Sequence, residues 1–147
     1  MKRIIYNNYS NPAVREICHG IKENDNECIN IMADYILNLN IIDCNSILIP
    51  APQHQGYAIY TRKVADIIAE ESNARVLDII VSKPRDTLYN MKKQKIPLTL
   101  DFYLKDEIHE KGDLYFIDNV LATGQTWLTA QKLFESTLTP LVYGVGK

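Results

Sequence analysis

The residues best suited to chemistry follow a single apolar run at residues 114–117. Asp118 and Asn119 end that run, and two apolar residues later comes a small, hydroxyl-rich loop formed by Ala122, Thr123, Gly124, Gln125 and Thr126. Backbone N–H groups of such a turn can converge on a phosphate, with glycine permitting close approach and a following helix favouring the anion. The order of strand, acid, loop and helix predicts a phosphate-binding site. Asp118 would stand beside it, placed for sugar hydroxyls or a metal ion.

A second candidate loop lies at residues 49–57, after another apolar run. Its residues are rich in proline and glutamine and end in a glycine: Pro50, Pro52, Gln53, His54, Gln55 and Gly56. Prolines fix the exit from a strand, and exposed N–H groups before a helix predict a second anion site. A plain proline-rich connection is the alternative, and an exposed loop histidine such as His54 is usually just solvated.

A third, long segment covers residues 82–95. It carries one acid, Asp86, against five cations: Lys83, Arg85, Lys92, Lys93 and Lys95. Loops of this length between core elements are uncommon unless they are functional or mobile. The segment is either a functional loop whose cations, such as Lys83 and Arg85, bind an anion, or a solvated, lysine-rich surface loop.

The segment around Asp118 resembles the ribose-5-phosphate-binding signature of the type I phosphoribosyltransferases. That signature is an apolar strand, two acidic residues, two mostly apolar positions and a Thr-Gly-x-Thr loop. Asp118, Thr123, Gly124 and Thr126 stand at its fixed positions, and the loop reads like the adenine phosphoribosyltransferase version. Asn119 departs from it at the second acidic position. The 49–57 loop and the start of the 82–95 segment look like the ComF-like branch of the family.

The resemblance implies a type I phosphoribosyltransferase-like α/β fold, with a mainly parallel central sheet flanked by helices and a small N-terminal cap. It implies transfer of ribose-5-phosphate from phosphoribosyl pyrophosphate (PRPP) to a nitrogenous base or related nucleophile, with Mg²⁺ and release of pyrophosphate. The implied catalytic residues are Asp118, Asn119, Arg85 and Lys83. The loop at 122–126 would hold the 5-phosphate, and the loop formed by Pro52, Gln53, His54, Gln55 and Gly56 would hold pyrophosphate. Asp118 would reach the metal indirectly, through PRPP and water.

Two other functions remain open at this point. Asn119 contributes no negative charge at the ribose, and this would weaken catalysis more than binding. The second hypothesis is therefore a non-catalytic PRPP- or nucleotide-binding regulatory module. An unrelated phosphate-binding α/β domain would require the match at Asp118 to be accidental.

Apolar periodicity predicts the elements that position these loops. Helices are expected at residues 24–40, 57–72 and 126–136, and strands at 46–49, 76–81, 114–117 and 141–145. Strands that alternate with helices imply parallel pairing, and ligands of such sheets bind at the carboxyl ends of the strands.

The first 45 residues fit this alternation less well. Residues 2–6 suggest a strand and residues 14–22 are ambiguous. We interpret the chain as one domain over residues 1–147, with residues 1–45 as a cap and 46–147 as the PRPP-binding core. Tyr6, Tyr9 and Tyr35 in the cap are either stacking partners for a base or ordinary packing.

Composition narrows the partners. A net charge of −2 over 147 residues gives no reason to expect nucleic acid or an acidic membrane as a partner. No apolar run is long enough to span a bilayer. Cys18, Cys28 and Cys44 form no Cys-x-x-Cys pair, and three reduced thiols suit a cytoplasmic protein. The oligomeric state stays open, with a homodimer as one option.

Overall fold

The computed structural model describes residues 4, 6–84, 87, 90, 93–95 and 100–146, and shows an α/β fold with mostly parallel sheets flanked by helices. The helices are α1 (Pro12–Lys22), α2 (Asn26–Asn38), α3 (Tyr60–Ser72) and α4 (Gln125–Gln131). The strands are β1 (Asn7–Asn8), β2 (Ser46–Pro50), β3 (Arg75–Val76), β4 (Ile80–Ser82), β5 (Phe102–Leu104), β6 (Asp113–Ile117), β7 (Val120–Leu121), β8 (Leu138–Leu141) and β9 (Gly144–Val145).

The central sheet has four parallel strands in the order β3-β2-β6-β8. Beyond the carboxyl ends of β6 and β8, a smaller parallel sheet continues in the order β1-β9-β7. Asp118 and Asn119 lie in the break between β6 and β7. A second break separates β8 from β9. Backbone hydrogen bonds join the two breaks, because the Asp118 N–H donates to the Leu141 carbonyl (3.2 Å) and the Tyr143 N–H donates to the Asn119 carbonyl (3.0 Å). The acid of the motif is therefore held within paired strand ends.

Both faces of the central sheet are covered, as the continuous apolar runs of its strands predict. In β2, Leu48 faces the layer formed by α1, α2 and α3, whereas Ile47 and Ile49 face the layer that contains α4, β4 and β5. In β6, Ile117 and Phe116 divide in the same way. Full burial of each such side chain stabilises the fold by about 1.5–3 kcal/mol, and this fixes the register of the strands that carry the two candidate loops.

The predicted helices at 24–40 and 57–72 are confirmed, with ends shifted by two or three residues. The ambiguous residues 14–22 belong to α1, which Asn11 caps by accepting a hydrogen bond from the Ala13 N–H at 2.9 Å. Asp25 caps α2 through the Cys28 N–H at 3.1 Å. Residues 1–45 thus contribute two helices to one face of the core, and the division into cap and core stays a prediction.

Three sequence predictions are wrong in detail. Residues 76–81 do not form one strand, because β3 ends at Val76 and β4 instead pairs antiparallel with β5. Between them Asp78 turns to Arg62 of α3, with its carboxylate 2.9 Å from the guanidinium. The segment after β4 therefore does not leave from the central parallel sheet.

The last predicted helix and strand are also redistributed. Helix α4 ends at Gln131, whose side chain accepts from the Leu138 N–H (2.7 Å) and donates to the Ser136 carbonyl (2.9 Å). The strand predicted at 141–145 is divided between β8 and β9. At the beginning of the chain the structure shows β1 at Asn7–Asn8; of the strand expected at 2–6, Ile4 and Tyr6 lie outside any strand, and residues 2, 3 and 5 lie outside the described residues.

Across the ranges that the structure describes, no helix combines the length and apolar character needed to cross a bilayer.

Candidate functional site

A cleft of about 720 Å³ opens at the carboxyl ends of the adjacent strands β2 and β6. Its walls include two of the predicted loops: Pro52, Gln53, His54 and Gln55 after β2, and Asp118, Asn119, Ala122, Thr123, Gly124, Gln125 and Thr126 after β6. These loops are separated by more than 60 residues in the sequence. The parallel pairing of β2 with β6 brings them to one place, as the carboxyl-end rule predicts.

Asp118 lies half-buried on the cleft wall. Its Oδ1 atom accepts the backbone N–H of Asn119 at 2.8 Å, and its own N–H donates to β8. The carboxylate is therefore held at a fixed position rather than carried on a free loop. A fixed carboxylate of this kind can bind sugar hydroxyls or share a cation with a phosphate.

Asn119 is buried, and its amide is engaged by two helices. Its Nδ2 donates to the Cys18 carbonyl of α1 at 3.1 Å, and its Oδ1 accepts the Tyr60 hydroxyl of α3 at 3.4 Å. Its backbone carbonyl accepts N–H groups of Tyr143 and Gly144. An amide supplies both the donor and the acceptor that these neighbours require, whereas a carboxylate supplies acceptors alone. Asn119, which departs from the acidic pattern, is therefore held by Cys18 on one side and by Tyr60 on the other.

The loop at 122–126 offers several backbone donors. Gly124 adopts the left-handed conformation with φ of +81°, which favours glycine, and an added Cβ would meet no atom within 4 Å. Within the described part of the chain, no acceptor bonds the N–H groups of Thr123, Gly124 or Thr126. Helix α4 has only seven residues, so its dipole would add little to anion binding, and these N–H groups and the threonine hydroxyls are the donors that the loop could offer to an anion.

The loop after β2 is closed by its own glutamine. Gln53 is buried; its Nε2 donates to the Ala51 carbonyl at 2.7 Å and its Oε1 accepts the N–H of Ile59. Gly56 has a φ of +109°, and an added Cβ would lie 2.6 Å from the Ser82 carbonyl oxygen, so glycine is required where this loop contacts β4. The Gln53 side chain therefore shapes the loop, and Gly56 lies outside the cleft lining.

The described cations of the 82–95 segment do not line the cleft. Lys83 is exposed, with its Nζ 3.2 Å from Asp101 Oδ2, and Lys93 and Lys95 are also outside the lining. Arg85, Asp86 and Lys92 lie outside the described residues. Among the described residues of this segment, Thr87 lines the cleft.

Four residues that line a further wall of the cleft were not predicted from the sequence: His19, Lys22, Glu23 and Asn24, at the end of α1 and just after it. They lie on the same cleft as Tyr9, a predicted stacking partner, whose hydroxyl is 3.0 Å from His19 Nε2. The helical spacing of His19 and Lys22 could have placed them on related faces, but nothing in the sequence linked α1 to Asp118. Of the predicted stacking tyrosines, Tyr9 alone lines the cleft.

The other two tyrosines are engaged elsewhere. Tyr6 donates its hydroxyl to the Pro140 carbonyl at 2.9 Å, and Tyr35 packs edge-on against Tyr143 with ring centroids 5.5 Å apart.

Two features define the electrostatics of the described lining. Apart from its two histidines, the described lining carries one cation, Lys22, and two carboxylates, Glu23 and Asp118, so it is not strongly basic. Burial, reinforced by the charge of Asp118, raises the pKa of the Cys18 thiol to about 12. Cys18 is therefore a protonated, unreactive thiol at neutral pH, and its carbonyl is the part that serves the site.

Donor chemistry limits how a metal could be held. Among the described residues, no group of three or more His, Cys, Asp or Glu side chains is arranged to hold a metal ion. Mg²⁺ commonly binds through one or two carboxylates together with substrate phosphates and water. Asp118 fits that mode, in which most ligands come from the substrate.

No protein-family model matches this chain, and no curated protein matches it. The assignment of a function accordingly depends on the motif at Asp118 and on the geometry of the cleft. That geometry offers the N–H groups of the 122–126 loop, the loop after β2, the carboxylate of Asp118, and a third wall bearing a tyrosine, a histidine and a lysine. Such a cleft can hold a sugar that carries phosphates at two positions.

Proposed function

We propose that the chain is a type I phosphoribosyltransferase-like enzyme that transfers ribose-5-phosphate from PRPP to a nitrogenous base. The observation that carries the proposal is that the loops after β2 and β6 line one cleft, with Asp118 beside them. PRPP has a phosphate at one end of its ribose and a pyrophosphate at the other. Two loops and a carboxylate that line one cleft suit that distribution of charge and hydroxyls.

The chemical step would break the bond between the anomeric carbon and pyrophosphate, through a state with cationic character in the ribose ring. The 122–126 loop would anchor the 5-phosphate, so that the acceptor attacks in a fixed orientation. Asp118 would hold ribose hydroxyls and stabilise the cationic ring. At an effective dielectric constant of about 20, a charge about 5 Å away contributes roughly 3 kcal/mol. Mg²⁺, when bound with PRPP, would neutralise charge on the leaving pyrophosphate.

A second candidate function is a PRPP- or nucleotide-binding regulatory module without turnover. Two observations favour it: the Asn119 amide is bonded to Cys18 and Tyr60, and the loop after β2 presents Gln53, His54 and Gln55 without a lysine or arginine. Both observations weaken catalysis more than they weaken binding. The two functions share the same cleft and differ in the release of pyrophosphate.

The decisive experiment measures binding and turnover on the same preparation. Titration calorimetry with PRPP, with and without Mg²⁺, would report binding, and an assay of pyrophosphate release over a panel of purine and pyrimidine bases would report transfer. In the enzyme, Asp118→Asn should weaken PRPP binding, remove its dependence on Mg²⁺, and lower turnover by about a hundredfold for a loss of roughly 3 kcal/mol.

Asp113→Asn is the matched control, because Asp113 begins the same strand and lies at the opposite, exposed end. Binding of PRPP without pyrophosphate release on any base would support the regulatory module. Absence of PRPP binding would contradict both functions.

A further inference from the structure

The α1 wall of the cleft carries an oriented histidine. His19 Nε2 lies 3.0 Å from the Tyr9 hydroxyl, and the two rings meet edge-on with centroids 6.3 Å apart. The part of the chain that the structure describes offers no hydrogen-bond partner to the other ring nitrogen, Nδ1. His19 is exposed within the cleft, so a bound molecule can reach that nitrogen.

This histidine is tied to the carboxylate of the motif through a short chain of contacts. The residue before it, Cys18, accepts the Asn119 amide at 3.1 Å, and the Asn119 N–H donates to Asp118 Oδ1 at 2.8 Å. The Cys18 thiol also donates to the Asn119 carbonyl at 3.6 Å. These contacts fix α1 against the end of β6, so that His19 and Asp118 border the same space.

Transfer to a nitrogen nucleophile requires a group that accepts a proton. The titratable groups of the described cleft lining besides His19 are Tyr9, Lys22, Glu23, His54, Tyr60 and Asp118. Imidazole is the side chain whose ordinary titration range matches a neutral-pH base. Of the two histidines in the lining, His19 is the one whose ring a second side chain orients.

We propose that His19 is the general base of the transfer and that Tyr9 is its positioning residue; this rests on the proposed transferase function. The acceptor is then a heterocycle with a weakly acidic ring N–H. As its nitrogen forms the bond to the anomeric carbon, the bond to pyrophosphate breaks and its electron pair leaves with pyrophosphate. The acceptor's proton passes to His19 Nδ1, while Nε2–H is held by the Tyr9 oxygen.

The test compares His19→Ala and Tyr9→Phe with His109→Ala, a histidine variant outside the cleft. With PRPP, Mg²⁺ and the best base of a panel, His19→Ala should lower kcat about 100-fold or more while changing the KM for PRPP less than about threefold. The acidic limb of the kcat–pH profile should disappear, and added imidazole should restore part of the rate. Tyr9→Phe should keep the limb and lower kcat about three- to tenfold, since the histidine remains but loses its orientation.

Other outcomes are distinguishable. If His19→Ala keeps the acidic limb, or loses kcat as predicted but is not rescued by imidazole, His19 is not the general base. Either result would leave the proposed transferase function standing. Loss of the limb in His54→Ala instead would move the base to the other wall. Wild-type protein that binds PRPP but releases no pyrophosphate with any base would overturn the transferase function and the base together.

Discussion

Replacing Asn119 by aspartate tests whether this residue is a structural amide or a missing ribose carboxylate. Asn119→Asp keeps the size of the side chain and removes the Nδ2 donor that the Cys18 carbonyl accepts at 3.1 Å. A carboxylate oxygen would then face a carbonyl oxygen in a buried position. Loss of that bond costs about 1–3 kcal/mol. Charge repulsion from Asp118, at a separation of about 5 Å and an effective dielectric constant of about 20, adds up to about 3 kcal/mol.

The penalty should depend on pH. Burial and the nearby Asp118 would raise the pKa of the new carboxyl above its unfolded value of about 3.9. Below about pH 4 the group is protonated in both states, and its hydroxyl can donate to the Cys18 carbonyl. As the pH rises, the unfolded state ionises first, so the deficit in the free energy of unfolding grows until the pH passes the folded pKa. We expect a deficit of about 1 kcal/mol at pH 4 and about 3 kcal/mol at pH 8.

Urea unfolding at both pH values provides the measurement. Asn30→Asp on the exposed surface of α2 is the control and should change stability by less than about 0.5 kcal/mol. Equal stability of Asn119→Asp and wild type at pH 8 would refute the reasoning, because it would mean that Cys18 and Tyr60 do not require an amide. A stable variant with raised transferase activity would instead favour the missing-carboxylate interpretation.

Two further predictions concern the phosphate loop and the buried thiol. Gly124→Asn should keep near-wild-type stability, since asparagine tolerates positive φ and the space above Gly124 is open. The added side chain would occupy the space through which a phosphate approaches the loop, so PRPP binding should weaken at least about tenfold in calorimetry. Unchanged affinity would place the phosphate elsewhere. Cys18 should react with iodoacetamide at pH 8 at least about 100-fold more slowly than exposed Cys44, because it is buried and its pKa is raised to about 12. Since the unfolded thiol ionises first, the free energy of unfolding should fall as the pH rises from about 8.5 towards 12, and this fall should be smaller in Cys18→Ala, which retains the other groups with raised pKa values. Mass spectrometry showing equal labelling of both thiols in folded protein would contradict the account of Cys18.

The sequence was sufficient to predict that the loops after β2 and β6 share a cleft, whereas the place of the 82–95 segment beside them stays a prediction. The apolar runs before Pro50 and Asp118 identify two buried strands, and parallel strands bring their carboxyl ends to one edge. This inference needs the class of each element and no long-range information. The backbone requirements at Gly56 and Gly124 were also foreseeable, because turns that lead into helices often need positive φ.

The partners of individual side chains could not be predicted in this way. In the sequence, Asn119 looked like a defect in a catalytic pattern. Its side-chain amide donates to the Cys18 carbonyl, and a local pattern could not reveal this partner because Cys18 is 101 positions away. The interruption after Val76 is accompanied by the pairing of Asp78 with Arg62. The end of α4 is accompanied by a side-chain contact from Gln131 to Leu138. A local pattern specifies periodicity and residue type, whereas each of these places involves a tertiary contact that local propensity does not reveal.

The pairing of β1 with β9 has a consequence for the order of folding. Asn7 and Asn8 lie beside Gly144 and Val145, and the Asn7 side chain donates to the Tyr143 carbonyl across 136 positions of sequence. Closing a loop of that length is entropically costly and slows folding unless local structure forms first. During synthesis α1 can pack against α2 early, whereas its contacts with Asn119 and with β9 form only after those residues have emerged. The position of His19 relative to Asp118 is therefore fixed late, and a chain arrested before residue 144 would lack the pairing of β1 with β9 that holds Tyr9 beside α1.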